Sequence, residues 1–213
     1  MNNDNASNNH PVFISIVGAS CSGKTALASN IAKRFSDRQV SVISEDNYYK
    51  RQDQLTPEQR VKINYDHPSA FDYDLLLEHV SQLSKGESID CPTYDYSLHN
   101  RSETTIEVPA TPVIIYEGIM LYHSEQLRNL FSLKLFVDMP LDICLARRIG
   151  RDVSERDRSV ESVLAQYQET VRPMFLEFVE PSKYYADIIF PMGGHNEIAL
   201  DVLGSKITEL VNP

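Results

Sequence analysis

Gly18-Ala19-Ser20-Cys21-Ser22-Gly23-Lys24-Thr25 fits the pattern GxxxxGK[ST], the signature of a loop that cradles phosphate. Glycines let consecutive backbone N–H groups turn inward on phosphate oxygens, and a helix starting at the end of the loop adds a favourable dipole. A lysine here reaches the β- and γ-phosphates as a point charge, and the hydroxyl after it is placed to bind a divalent cation. The flanks supply the context the pattern requires. Residues 11–17 are a short apolar run rich in β-branched side chains and read as a buried strand. From Thr25 onward, Leu27, Ile31 and Phe35 recur every fourth residue and so share one face of a helix. Cys21 reads as a small filler, because no activating histidine is adjacent, and alkylating it is expected to block nucleotide binding.

Outward from this unit the alternation continues. Residues 40–44 read as a second strand, and 75–83 as a helix that follows Asp72 and stops at Gly86. Two apolar runs, 113–116 and 133–137, each end in an acidic residue, Glu117 and Asp138, where a buried strand surfaces. Residues 188–190 read as a last strand, and Ile198, Val202 and Leu210 suggest a closing helix. Strands alternating with helices predict a parallel sheet, and with the phosphate loop the fold class is α/β, a three-layer P-loop NTPase fold. Two features stand outside that plan. Segments 89–94 and 104–108 flank a polar bend and predict an antiparallel hairpin over about 88–109. A helix starting near Pro140 carries Arg147, Arg148 and Arg151, and the amphipathic stretch 160–178 contains Pro173, which is expected to kink or end it.

Composition bounds the partners. The 213 residues, 42% hydrophobic and 23% charged, suit one globular domain, here 12–213, preceded by a polar, Asn-rich tail over 1–11 that reads as disordered. Acidic residues outnumber Lys and Arg by 30 to 20, a balance that repels nucleic acid and anionic membrane, so an anionic ligand must meet a local positive cluster. Arg147, Arg148, Arg151, Arg156 and Arg158 are such a cluster, although alone they could equally be a solvated helix and loop. The tail lacks the features of a secretory signal and no later run could span a bilayer, which predicts a cytoplasmic protein. Cys21, Cys91 and Cys144 lack metal-ligand or redox spacing and are expected to be free thiols.

The phosphate loop alone does not choose among GTPases, ATPases and small-molecule kinases. Other stretches are more specific: Ser44-Glu45-Asp46-Asn47-Tyr48-Tyr49, Tyr65-Asp66-His67-Pro68-Ser69-Ala70-Phe71-Asp72, Pro92-Thr93-Tyr94-Asp95-Tyr96 with His99 and Arg101, Tyr116-Glu117-Gly118-Ile119, and Arg147-Arg148-Ile149-Gly150-Arg151-Asp152. In these, and from about Val12 to the final helix, the sequence closely resembles the uridine kinase (uridine-cytidine kinase) family.

The resemblance implies transfer of phosphate from ATP, with GTP open as a donor, to the ribose 5′-hydroxyl of uridine and cytidine, with Mg²⁺ as cofactor. It implies Asp46 as the base that accepts the hydroxyl proton and lies near the metal, alongside Thr25 and Glu117. Glu117, at a strand end neighbouring the loop, is the natural acidic partner for the metal or its waters; the bland alternatives are a loop cap for Glu117 and an exposed loop aspartate for Asp46. By resemblance Asp66 holds the ribose hydroxyls, Tyr49 and Tyr65 line the nucleoside pocket, and Tyr94, Tyr96 and His99 meet the pyrimidine, His99 at its position-4 substituent. His67 is expected to be a structural hydrogen-bonder. Residues 147–166 resemble a lid, with Arg151 and Arg156 facing phosphates beside Lys24, and Arg148, Arg158 and Gln166 nearer the nucleoside. The family usually has Gly between the last two lid arginines; this chain has Asp157. A homotetramer and feedback by CTP are further implications. A phosphoribulokinase-like sugar-phosphate kinase and a non-catalytic nucleotide-binding regulator are the alternatives.

Overall fold

The computed structural model describes residues 10–191 and 196–211. The expected disordered tail falls mostly on residues 1–9, outside the described residues; of the rest of it, His10 Nδ1 donates to the Ser84 carbonyl at 2.9 Å.

Five strands form a parallel sheet in the order β2-β5-β1-β6-β7: β1 (Val12–Gly18), β2 (Val40–Ser44), β5 (Val113–Gly118), β6 (Leu133–Asp138) and β7 (Ile188–Pro191). Side chains alternate across each strand, so one sequence serves two cores. Ile14 and Ile16 of β1 and Val113 and Ile115 of β5 face helices α1 (Lys24–Ala32) and α9 (Glu197–Val211), whereas Val17, Ile114 and Tyr116 face the other layer. That second layer is built on α3 (Tyr73–Ser84) and the short α4 (Glu125–Arg128), together with a helical run that closes the domain. Leu27 and Ile31, the periodic residues of α1, are completely buried, each worth about 1.5–3 kcal/mol of transfer free energy. The Asp72 carboxylate caps the start of α3 by accepting from the Leu75 N–H at 3.3 Å, and Gly86 closes its other end at φ 82°.

The hairpin is present as β3 (Ile89–Asp95) and β4 (Asn100–Val108). Its second strand starts at Asn100, earlier than the polar composition suggests, because Asp95 Oδ1 accepts from the N–H groups of Ser97 and Leu98 and folds the bend into 96–99. Arg101, next to the hairpin turn, fastens that end to the body through the Tyr49 carbonyl at 3.1 Å and Asp72 at 3.2 Å. A short α2 (Pro57–Arg60) lies between β2 and α3.

Two expectations are narrowed: of the kink or end expected at Pro173, the end is absent, and the buried face of the closing helix differs from the one read. Pro173 does not end the helix. From α6 (Val160–Gln166) the chain runs through π-helical turns at Tyr167–Val171 and Phe175–Val179, separated by α7 (Arg172–Met174) and followed by α8 (Glu180–Ser182). Each π-turn immediately precedes a segment bearing a proline, Pro173 or Pro181. Arg172 N–H reaches Tyr167 O and Glu180 N–H reaches Phe175 O, so the bonding pattern has widened before the missing donor arrives. The closing helix α9 forms, but Ile198 and Val202 are exposed; Leu200, Leu203 and Ile207 make the buried face.

Candidate functional site

The carboxyl ends of β1, β2 and β5 open into one cleft of about 1180 Å³. The loop between β1 and α1, which Arg147 and Arg148 of α5 (Leu141–Glu155) contact, needs its small residues. A Cβ on Gly18 would sit 2.7 Å from the Val137 carbonyl and 2.8 Å from Ser22 Oγ, and Gly23 adopts φ 98°. Cys21 also turns left-handed, at φ 63°. Cys21, Gly23, Lys24 and Thr25 line the cleft together with Ser20, while Gly18 and the buried Ala19 and Ser22 shape the loop from behind.

Thr25 Oγ1 donates to Glu117 Oε2 at 3.2 Å. Burial pushes the Glu117 carboxyl up, opposed by Lys24. Ser44 and Glu117 pair across β2 and β5, so Asp46, two residues beyond Ser44, enters the same end of the cleft. A hydroxyl and two carboxylates are hard oxygen donors, a set that fits Mg²⁺ sharing phosphates and water.

Across the cleft Tyr49, Tyr65, Tyr94 and His99 form an aromatic wall. Tyr49 stacks on Phe71 at 4.6 Å and meets Tyr65 and Tyr94 at 5.2 and 4.9 Å, so it is nearly buried packing as well as lining. Tyr65 donates to the His99 carbonyl at 2.9 Å and lies parallel to its ring at 5.8 Å. His99 holds φ 48° at the hairpin tip, and burial, then Arg158 and Arg156, lower its imidazole below the ordinary range, favouring the neutral ring. Asp66 projects into the cleft near these groups; burial raises its carboxyl and Arg148 opposes that rise. His67 accepts from Ser69 N–H at 3.1 Å and packs on Phe178, the structural part expected of it.

Tyr96 has a different neighbourhood from the other hairpin aromatics. Its hydroxyl donates to Asp46 Oδ2 at 2.7 Å, and the Arg156 guanidinium lies over its ring at 4.1 Å. Arg148 bonds Ser20 Oγ at 3.0 Å and Gln166 Oε1 at 2.9 Å, tying the phosphate loop to α6, and Arg158 also donates to Gln166. Arg151, Arg156 and Asp157 border the same cleft; Asp157 sits at φ 50°, a conformation that glycine adopts freely. Asp138, the other strand-end carboxylate, is bound by Lys183 at 2.6 Å and does not reach the cleft.

Glu45 and Asp152, in the quoted motifs, received no role from sequence. Glu45 is completely buried; burial drives its pKa up to about 8, partly offset by the Met120 N–H, which donates to it at 2.7 Å. It packs where a side chain on Gly118 would stand, so Gly118 after Glu117 was the available signal. Asp152, also completely buried, sits among Arg148, Arg151, Arg156 and Arg158.

The Phosphoribulokinase / Uridine kinase family model matches residues 13–199. The chain belongs to that family. Among its relatives, the uridine kinase of Vibrio cholerae serotype O1 is 53% identical over 208 residues, 96% of this chain and 98% of that protein. The uridine kinase of Escherichia coli K12 is 54% identical over 202 residues, 93% and 95% of the two chains. The family fold is shared with phosphoribulokinase from Rhodobacter spheroides, at TM-score 0.61, 17% identity and coverage of 87% of this chain and 71% of that one. D-glycerate 3-kinase from Cryptococcus neoformans var. grubii superposes at TM-score 0.59, 18% identity and 81% and 80% coverage. No helix among the described residues is long and apolar enough to cross a membrane.

Proposed function

We propose that this family member transfers the γ-phosphate of ATP to the ribose 5′-hydroxyl of uridine and cytidine, yielding UMP or CMP and ADP. The observation that carries this reading is the single cleft in which Asp46 lies between the phosphate loop and the aromatic wall of Tyr49, Tyr65, Tyr94 and His99. Relatives named uridine kinase at 53% and 54% identity over nearly the whole chain support it.

The chemistry follows from placement. Asp66 accepts from the two ribose hydroxyls, and His99, neutral and able to donate or accept, meets either the uracil oxygen or the cytosine amine. Asp46 takes the 5′-hydroxyl proton as the new O–P bond forms and the bond to the β,γ-bridging oxygen breaks in line. Lys24, Arg151 and Arg156 stabilise the charge that develops on the transferring group. Thr25, Asp46 and Glu117 would hold Mg²⁺, which when bound offsets phosphate charge. Direct transfer requires no covalent enzyme intermediate. Residues 12–213 act as one catalytic domain in which 147–166 is a lid whose closure excludes water.

This reading also places the enzyme in the cytoplasm, with three free thiols, Cys21, Cys91 and Cys144, suited to a reducing compartment. It carries a homotetramer and inhibition by CTP, a ligand able to fill both ends of the cleft; equilibrium sedimentation and CTP titration check these. ATP is the donor, with GTP compared in the same assay.

The deciding experiment is a phosphorylation screen over nucleosides and sugar phosphates, following ADP release with and without acceptor. UMP and CMP formation is expected. Turnover confined to an anionic sugar phosphate would favour a phosphoribulokinase-like acceptor, and nucleotide binding without turnover would favour a regulator.

A further inference from the structure

Four guanidinium groups converge on one completely buried carboxylate. Asp152 Oδ1 lies 2.7 Å from Arg151 Nη2 and 3.7 Å from Arg156 Nη1. Its Oδ2 lies 3.5 Å from Arg148 Nε and 3.6 Å from Arg158 Nη1. The backbone reinforces the arrangement, because Arg158 N–H donates to the Asp152 carbonyl at 3.1 Å and folds the turn after α5 back on itself.

We propose that Asp152 is a positioning residue, an internal counter-anion that assembles the lid arginines before nucleotide arrives. Without it, like charges this close would repel and their long side chains would disperse. One carboxylate cannot satisfy four guanidiniums. Only Arg151 makes a short contact, while the 3.5–3.7 Å contacts of Arg148, Arg156 and Arg158 are looser than good hydrogen bonds. Asp152 Oδ2 and Arg148 Nε are buried without a hydrogen-bond partner. The cluster is thus gathered but under-satisfied: Arg148 and Arg158 spend their Nη donors on Ser20, Ser162 and Gln166, which leaves Arg151 and Arg156, at the cleft, to take up phosphate oxygens. Arg148 transmits the arrangement to the phosphate loop through Ser20, and Gln166 transmits it to α6.

This inference rests on the phosphate-transfer reading but not on the identity of the acceptor. The test compares the wild-type protein with Asp152→Asn, which keeps the shape and removes the charge. Four quantities are read: kcat, KM for uridine, affinity for a non-hydrolysable ATP analogue, and ADP released per UMP formed. Expected for the variant are a kcat lower by about 100-fold, from displaced arginines, with KM for uridine raised by a smaller factor, about threefold to tenfold, through Arg148 and Arg158. Weaker analogue binding and more ADP released per UMP are also expected. Unchanged kcat and analogue affinity in a folded Asp152→Asn protein would overturn the proposal. Should that variant not fold, Asp152→Glu carries the test, since it keeps the charge and displaces it by one methylene. A folded Glu variant with depressed kcat supports positioning, and one with wild-type kcat and analogue affinity overturns it. If the wild-type protein does not phosphorylate uridine, the acceptor assignment fails while analogue affinity still judges Asp152.

Discussion

The phosphate loop and the arginine cluster around Asp152 both present positive charge to the same cleft, but they are built differently. The loop comprises eight consecutive residues whose backbone is shaped by its own glycines, backed by the Val137 carbonyl at a spacing that leaves no room for a Cβ on Gly18. The arginine cluster is a set of side chains from α5 and the turn after it, held to one another by Asp152 and Gln166. A loop of backbone donors is pre-organised by local conformation and loses little on binding, whereas flexible arginines must be gathered by a partner. Asp46 and Tyr96 lie where the two meet.

The largest effect expected is at that junction. Asp46→Asn removes the proton acceptor and should lower kcat by about 1000-fold, with nucleotide-analogue affinity within about threefold. Steady-state kinetics and calorimetry check this, and normal turnover would remove Asp46 from the chemistry. Next is Gly18→Ala, which forces apart the loop and β6. Analogue affinity should drop by about 100-fold, with a stability loss of about 1–3 kcal/mol seen as a lower Tm. A variant that binds normally would show that the loop is less rigid than the Val137 contact implies.

Tyr96→Phe is a finer cut, deleting the hydroxyl that holds Asp46 while leaving a ring for Arg156. A charge-assisted hydrogen bond of roughly 1.5 kcal/mol corresponds to a kcat about tenfold lower. Tyr96→Leu should add a rise in ADP release without acceptor, because the Arg156 contact goes too; equal behaviour of the two variants would deny the ring any part in lid closure. Asp157→Gly has the smallest effect. Relief of the left-handed conformation and the entropy that glycine gains in the unfolded chain are each about 1 kcal/mol and oppose one another, so Tm should hardly move. Removing a negative charge from the cleft should lower KM for ATP about twofold; a higher KM would mean that Asp157 helps to shape the lid.

Much of the framework was legible because it is local. The β1 run, the loop and the Leu27–Ile31 face of α1 declare themselves through alternation and helical spacing, and Asp72 and Gly86 mark the two ends of α3. Pro173 did not end the helix because a proline's effect depends on how neighbouring turns bond, and the π-turn that ends at Val171 has already widened the pattern. In α9 several faces are apolar, so Ile198 and Val202 compete with Leu200 and Leu203 until the sheet selects one. Tyr96 read as one of three ring-bearing residues on a hairpin; its contact with Asp46, fifty positions away in sequence, carries no local signal.

The amino-acid order alone determined the elements, the phosphate loop with its lysine and threonine, and the groups of residues whose resemblance named a family, because each depends on neighbours within a few positions. Tertiary structure decided the partners of the charges: Glu45 buried against Gly118, Tyr96 on Asp46, Asp138 neutralised by Lys183 and kept out of the cleft, and four arginines around Asp152. Burial and the separation of charges set what an ionisable group can do, and both are fixed only when distant segments come together.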